Sequence, residues 1–224
     1  DQSKEPGDET APNEEDTLDL AETEDDDNGP TPPPPRKYYV DGGQVQIIGH
    51  QVLELDADGK QLRTVQYTDY TADKVRTLFR SADELHDQWA NPLTREALLL
   101  TLEEQGITFE DLATVVQQPE ADPFDLLCHI AFRIPLRTRR ERAARVRSHE
   151  QAFFDQYGGK AREILNALLD KYSEHGPEQL TIPNALQVLP ISQYGNVMEI
   201  ANLFGGALPL KQAVDRLQTL IYTM

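Results

Sequence analysis

Asp41, Asp58 and Lys60 are the residues whose types and spacing most directly suggest catalysis. A carboxylate two residues before a lysine on a hairpin, with a second carboxylate upstream, could hold Mg²⁺ and orient a water for phosphodiester hydrolysis. The plainer reading is a turn, because Asp56-Ala57-Asp58-Gly59 is rich in residues that tolerate tight backbone angles, which leaves Lys60 simply exposed. A turn also lacks the rigid strand positions that such a metal site needs, so the turn reading is preferred. Read instead as a calcium loop, the segment places Val65 at the bidentate closing position, where an acidic residue is required.

Two further patterns fail on their chemistry. Gly158-Gly159-Lys160 resembles the end of a phosphate-binding loop, but Phe154 stands where the first glycine belongs and Ala161 where a Ser or Thr would hold the metal. It reads as a helix stop followed by a new helix. Cys128 and His129 are adjacent on a predicted helix, so they point about 100° apart and cannot act together as nucleophile and base. His50, His86, His149 and His175 show no metal-ligand spacing. No catalytic and no metal-binding residue is therefore assigned.

The basic feature is Arg133, Arg137, Arg139, Arg140, Arg142, Arg145 and Arg147, with only Glu141 opposing them in that span. Such a cluster could grip DNA phosphates. At helical spacing, however, Val146, Phe153, Phe154 and Tyr157 define an apolar face. Arg140 and Arg147 flank one side of it, Arg142 and Arg145 flank the other, and Arg139 falls in the middle. Arginines in such places also cover apolar surface with their stems and pair with carboxylates. Intramolecular pairing, a protein-partner interface and DNA-backbone contact through Arg139, Arg140, Arg142, Arg145 and Arg147 remain three open readings.

The elements that would carry these residues follow from pattern. Residues 1–35 hold 13 carboxylates against Lys4 alone, a net of −12 within a chain total of −18. They have no aromatic residue, and Leu18 and Leu20 are the sizeable aliphatics, too little apolar surface to offset chain entropy. Residues 1–36 thus read as a disordered acidic linker ended by the Pro32–Pro35 run, a stiff spacer without backbone N–H groups. Together with a first residue that is not Met, this suggests the C-terminal piece of a larger protein.

Residues 37–70 read as a small antiparallel hairpin or meander, from the alternation at Val45–Ile48, Gln51–Leu55 and Leu62–Tyr67 around the Asp56–Gly59 turn. Residues 71–224 read as a helical domain, giving a mainly α (α+β) fold. Ser81 with Glu84, Asn91-Pro92, Thr108 with Asp111, Asp122-Pro123 and Thr138 with Glu141 mark helix starts, and the last of these helices is expected to run to Tyr157. Clean amphipathic spacing marks two later helices, at Ile164–Tyr172 and Leu210–Ile221. The end of the C-terminal helix is apolar on more than one face, which makes Leu217, Leu220, Ile221 and Tyr222 candidate partner-docking residues, with burial in the domain's own core as the alternative. The single Cys128 fits a reducing, cytoplasmic compartment, and no stretch is apolar enough to span a membrane.

Seven segments, taken in order, resemble a known family. They are Pro-Pro-Pro-Pro-Arg-Lys-Tyr-Tyr-Val-Asp-Gly (32–42), Leu-Asp-Ala-Asp-Gly-Lys (55–60), Asp-Tyr-Thr (69–71), Asp-Pro-Phe-Asp-Leu-Leu-Cys-His-Ile-Ala-Phe (122–132), Thr-Arg-Arg-Glu-Arg-Ala (138–143), Lys-Ala-Arg-Glu-Ile-Leu-Asn-Ala-Leu-Leu-Asp-Lys-Tyr (160–172) and Glu-Ile-Ala-Asn-Leu-Phe-Gly-Gly (199–206). Together they are similar to the C-terminal domain of the R (restriction, motor) subunit of type I restriction enzymes, in the branch typified by EcoKI and EcoEI.

The resemblance implies a non-catalytic module of an ATP-dependent DNA-translocating endonuclease. ATP and Mg²⁺ would act elsewhere in the full-length subunit, with no cofactor in this part. The implied partners are the modification (methyltransferase) and specificity subunits, with DNA reached through the whole complex. The expectation is therefore an assembly module. The alternative is a domain that guides duplex DNA with the Arg133–Arg147 cluster.

Overall fold

The structure is a computed structural model that describes residues 35–40 and 42–223. The acidic head, Asp41 and Met224 lie outside the described residues, so the expected linker is represented here only by Pro35 and Arg36. Arg36 is not linker but the first residue of a strand, and its guanidinium bonds Asp111 at 2.6 Å.

Four strands, β1 (Arg36–Val40), β2 (Gly43–Ile48), β3 (Gln51–Leu55) and β4 (Gln61–Gln66), form an antiparallel meander in sequence order. Ile47 pairs directly with Val52, and with Val45 they make the buried face of the sheet. The expected strand alternation through Tyr67 ends one residue early. Tyr67 is the first residue of helix α1 (Tyr67–Leu78), because its ring is needed inside the domain: its hydroxyl donates to Gly106 O and accepts from Thr108 N–H, both at 2.9 Å. Tyr70, one turn on, donates to Gln105 O at 2.8 Å.

Sheet and helices meet at Gly106. Its φ is +79°, and a Cβ there would lie 2.7 Å from the Tyr38 ring and 2.8 Å from Ile47 Cδ1. Only glycine fits such a joint without displacing both side chains.

The helical part continues with α2 (Ala82–Ala90), α3 (Pro92–Glu104), α4 (Phe109–Val116), α5 (Pro123–Phe132), α6 (Arg139–His149), α7 (Gln151–Phe154), α8 (Gly159–His175), α9 (Val197–Leu203) and α10 (Ala207–Ile221). Three short 3₁₀ turns fill residues 177–194 between α8 and α9. The caps explain the helix starts: Ser81, Asn91, Thr108, Asp122 and Thr138 each accept a backbone N–H of the first turn. At Thr138 the reciprocal Glu141 bond completes a capping box, whereas Glu84 reaches past Ser81 to the N–H of Arg80. The expected single helix from Thr138 to Tyr157 is broken. Glu150 leaves helical geometry (φ −110°, ψ 35°), and the chain re-enters as α7 with the adjacent Phe153 and Phe154 both buried.

One continuous core joins the sheet face, α8 (Ile164, Leu165, Leu168, Leu169, Tyr172) and α10. Leu217, Leu220, Ile221 and Tyr222 all belong to it, and none is more than 3% exposed. The end of α10 is therefore core rather than a free docking surface, because its several apolar faces are already covered by α6, α9 and the aromatic side chains Trp89 and Phe124.

Candidate functional site

At the tip of the β3–β4 hairpin, Asp56 Oδ1 accepts the N–H groups of Asp58 (3.0 Å) and Lys60 (2.8 Å), and Gly59 N–H returns to Asp56 O. Asp56 thus organises the turn, and Asp58 and Lys60 project into solvent. Gly158 and Gly159 begin α8. Cys128 is buried, and burial pushes its thiol up to about 12, far from a reactive thiolate. His129 is exposed, with Nδ1 2.9 Å from Ile134 O.

The arginine cluster divides between interior and surface. Arg142 is 3% exposed on α6, which packs against α8 and α10, and it reaches Asp125 of α5. Its Nε and Nη2 donate to the two oxygens of Asp125 at 2.5 and 3.0 Å, and Nη1 donates to Ile221 O at 2.8 Å. The planar group also lies over the rings of Phe124 (5.2 Å) and Tyr222 (5.3 Å). This fork-to-fork pairing is the geometry in which a buried guanidinium remains charged. Burial opposes the Arg142 charge, but the bond to Asp125 and the fields of Asp122 and Asp125 outweigh it and hold its pKa above the ordinary value.

Asp122, fully buried at the start of α5, completes the network. Its Oδ1 accepts Phe124 N–H (2.8 Å), and its Oδ2 accepts the hydroxyls of Tyr172 (2.6 Å) and Tyr222 (3.3 Å). Burial raises the Asp122 carboxyl above its usual range, against the lowering effects of Arg142 and these three donors. The C-terminal end of the described chain is thus held at its centre: Ile221 through its carbonyl, Tyr222 through its hydroxyl and ring.

The other arginines fasten neighbouring segments. Arg139 donates to Ala121 O (3.0 Å) and Pro119 O (3.1 Å), and Arg140 lies 3.7 Å from Glu120, so both hold the α4–α5 connection against the start of α6. Arg147 pairs with Asp170 and donates to Asn166 O on α8. Arg145 is half-buried. Arg133, in left-handed conformation at the end of α5, is exposed, as are Arg137 and Arg140. Of the five candidate contact residues, Arg140 alone is fully on the surface, which differs from a continuous phosphate-gripping stripe. Sequence spacing held one clue to this: Arg142 lies four residues before Val146, so the two share a helix face. Nothing in the sequence pointed to Asp122, Tyr172 and Tyr222 as partners, because they are 50 and 100 positions apart.

Among the described residues no group of His, Cys, Asp and Glu could hold a metal, and no helix is long and apolar enough to cross a membrane. Large apolar side chains stand exposed on the sheet (Tyr39 and Leu62) and on two helical regions. Leu93 and Leu100 lie one heptad apart on α3, and Leu189, Met198 and Leu208 lie on the segment from the last 3₁₀ turns through the start of α10.

The chain is similar to the Type I restriction enzyme EcoAI endonuclease subunit of Escherichia coli, with 36% identity over 189 residues. That match covers 84% of this chain and 23% of the relative, so the chain spans about a quarter of that protein's length. No solved structure matches it. The family model described as EcoEI R protein C-terminal matches residues 65–222, which takes in every helix from α1 to α10. With most of the folded chain so matched, the protein belongs to the EcoEI R protein C-terminal family of type I restriction enzymes.

Proposed function

We propose that the chain is the assembly module of a type I restriction enzyme R subunit. It tethers the ATP- and Mg²⁺-dependent DNA translocase and nuclease of the rest of that subunit to the methyltransferase core of modification and specificity subunits. The observation that carries this reading is that at least four of the seven arginines are engaged within the chain. Arg139, Arg142 and Arg147 bond to this chain's own carbonyls and carboxylates and Arg140 lies beside Glu120, which weakens the rival reading of a DNA-guiding surface. The exposed apolar side chains on α3 and around Met198 add to it, since apolar surface rimmed by charge is typical of protein contacts and not of phosphate contacts.

The test is sedimentation of the chain with purified modification–specificity core. A co-sedimenting complex that forms without DNA is expected. A chain that joins the core only when duplex DNA bridges the two would overturn the reading.

A further inference from the structure

Beside α3 lies a cavity of about 340 Å³. Leu93 and Leu99 of α3, with Leu180 and Ile182 after α8, give it apolar walls, and Arg95 and Gln218 also line it. Arg95 is 6% exposed. Its Nη2 donates to Gln218 Oε1, and its guanidinium carbon lies 5.5 Å from the centre of the Tyr222 ring. Neither partner is anionic, and among the described residues Nη1 has no acceptor.

Arg142 uses the same tyrosine ring and has both oxygens of Asp125, so the contrast is internal to one core. A guanidinium taken from water without a counter-charge is costly, and a cavity that contains one can relieve the cost by receiving an acceptor from outside. The remaining lining narrows the ligand. Asp215 is engaged by Lys211 at 2.5 Å, whereas Glu96 and Glu178 stand exposed. Those two carboxylates repel a polyanion such as DNA and attract basic side chains.

We propose that this cavity is a docking pocket for a protein segment that carries one carboxylate beside an apolar side chain, with a basic residue next to them. The identification of its source as the modification–specificity core rests on the assembly reading above. The apolar side chain fills the space between Leu93 and Ile182, the carboxylate meets Arg95, and the basic residue faces Glu96 and Glu178.

The probe is 4-methylpentanoate, with neutral 4-methylpentanamide as control. Each is titrated into the chain and followed by the methyl signals of Leu93, Leu99, Leu180 and Ile182. Saturable shifts are expected with the acid, about tenfold weaker with the amide or in Arg95→Gln, and lost in Leu93→Asp. Leu93 is 76% exposed, so that variant keeps the core intact and decides the matter even where Arg95→Gln does not fold. Equal response to acid and amide, or none to either, overturns the pocket.

Binding of the core by wild type and Leu93→Asp separates the two readings. About tenfold weaker binding by the variant supports the pocket. Equal binding overturns it as the docking site and leaves the assembly reading intact. No binding by either chain overturns the assembly reading, and the acid–amide comparison still decides the pocket's ligand.

Discussion

Arg140 and Arg142 stand two positions apart in α6 and occupy opposite surroundings. Arg142 is enclosed and held by Asp125 and Ile221 O, whereas Arg140 is exposed with a carboxylate 3.7 Å away. Removing one partner of a buried ion pair leaves the other charge uncompensated, so Arg142→Ala is expected to cost about 3–5 kcal/mol in urea unfolding. Arg140→Ala should change stability by less than about 1 kcal/mol. Similar small effects for both would contradict the network.

Asp122 makes a pH-dependent contribution whose sign follows from its raised pKa. A carboxyl that holds its proton more tightly in the folded state adds stability as pH falls towards the ordinary value of 3.8, and that contribution is lost as pH rises through the raised value. The stability of wild type relative to Asp122→Asn should therefore grow as pH is lowered from about 7 to about 4. A flat or inverted difference would show that Asp122 is ionised at no cost in the core.

Among the elements, the joint at Gly106 and the last turn of α10 carry the most structural weight. Gly106→Ala forces a side chain into a φ of +79° and against Tyr38 and Ile47, and is expected to cost about 2 kcal/mol or more by thermal unfolding. Ending the chain after Leu217 removes Leu220, Ile221 and Tyr222, and with them the Arg142–Ile221 and Asp122–Tyr222 bonds. Loss of cooperative unfolding is expected. A truncated chain that folds fully would return this end to the list of docking surfaces.

The helix starts were legible because capping is local: Asn91-Pro92 and Asp122-Pro123 place an acceptor and a pre-set φ within two residues. The amphipathic faces of α8 and α10 were legible for the same reason. The break at Glu150 was not, since Phe153 and Phe154 are drawn inward by tertiary packing that spacing alone does not reveal. The start of α1 at Tyr67 was obscured because Tyr67 continues the strand alternation, while its hydroxyl answers to Gly106 and Thr108 some forty residues away. The apolar end of α10 was visible in sequence, but whether the domain or a partner covers it depends on residues as distant as Trp89 and Phe124.

At the scale of the whole molecule, the sheet and helices share one core, into which Arg142 is bound while Arg139 and Arg147 fasten segments around it. Surface open to a partner includes the exposed face of α3, the cavity beside it, the apolar side chains from Leu189 to Leu208, and Tyr39 and Leu62 on the sheet. The most direct measurement is the affinity of the chain for modification–specificity core, and separately for duplex DNA, as salt rises from about 50 to about 200 mM. Docking through apolar surface should change by less than about tenfold over that range, with DNA bound weakly or not at all. Phosphate-dominated binding would instead fall by about 10³-fold or more. A chain that ignores the core and binds DNA with that steep salt dependence would contradict the assembly account.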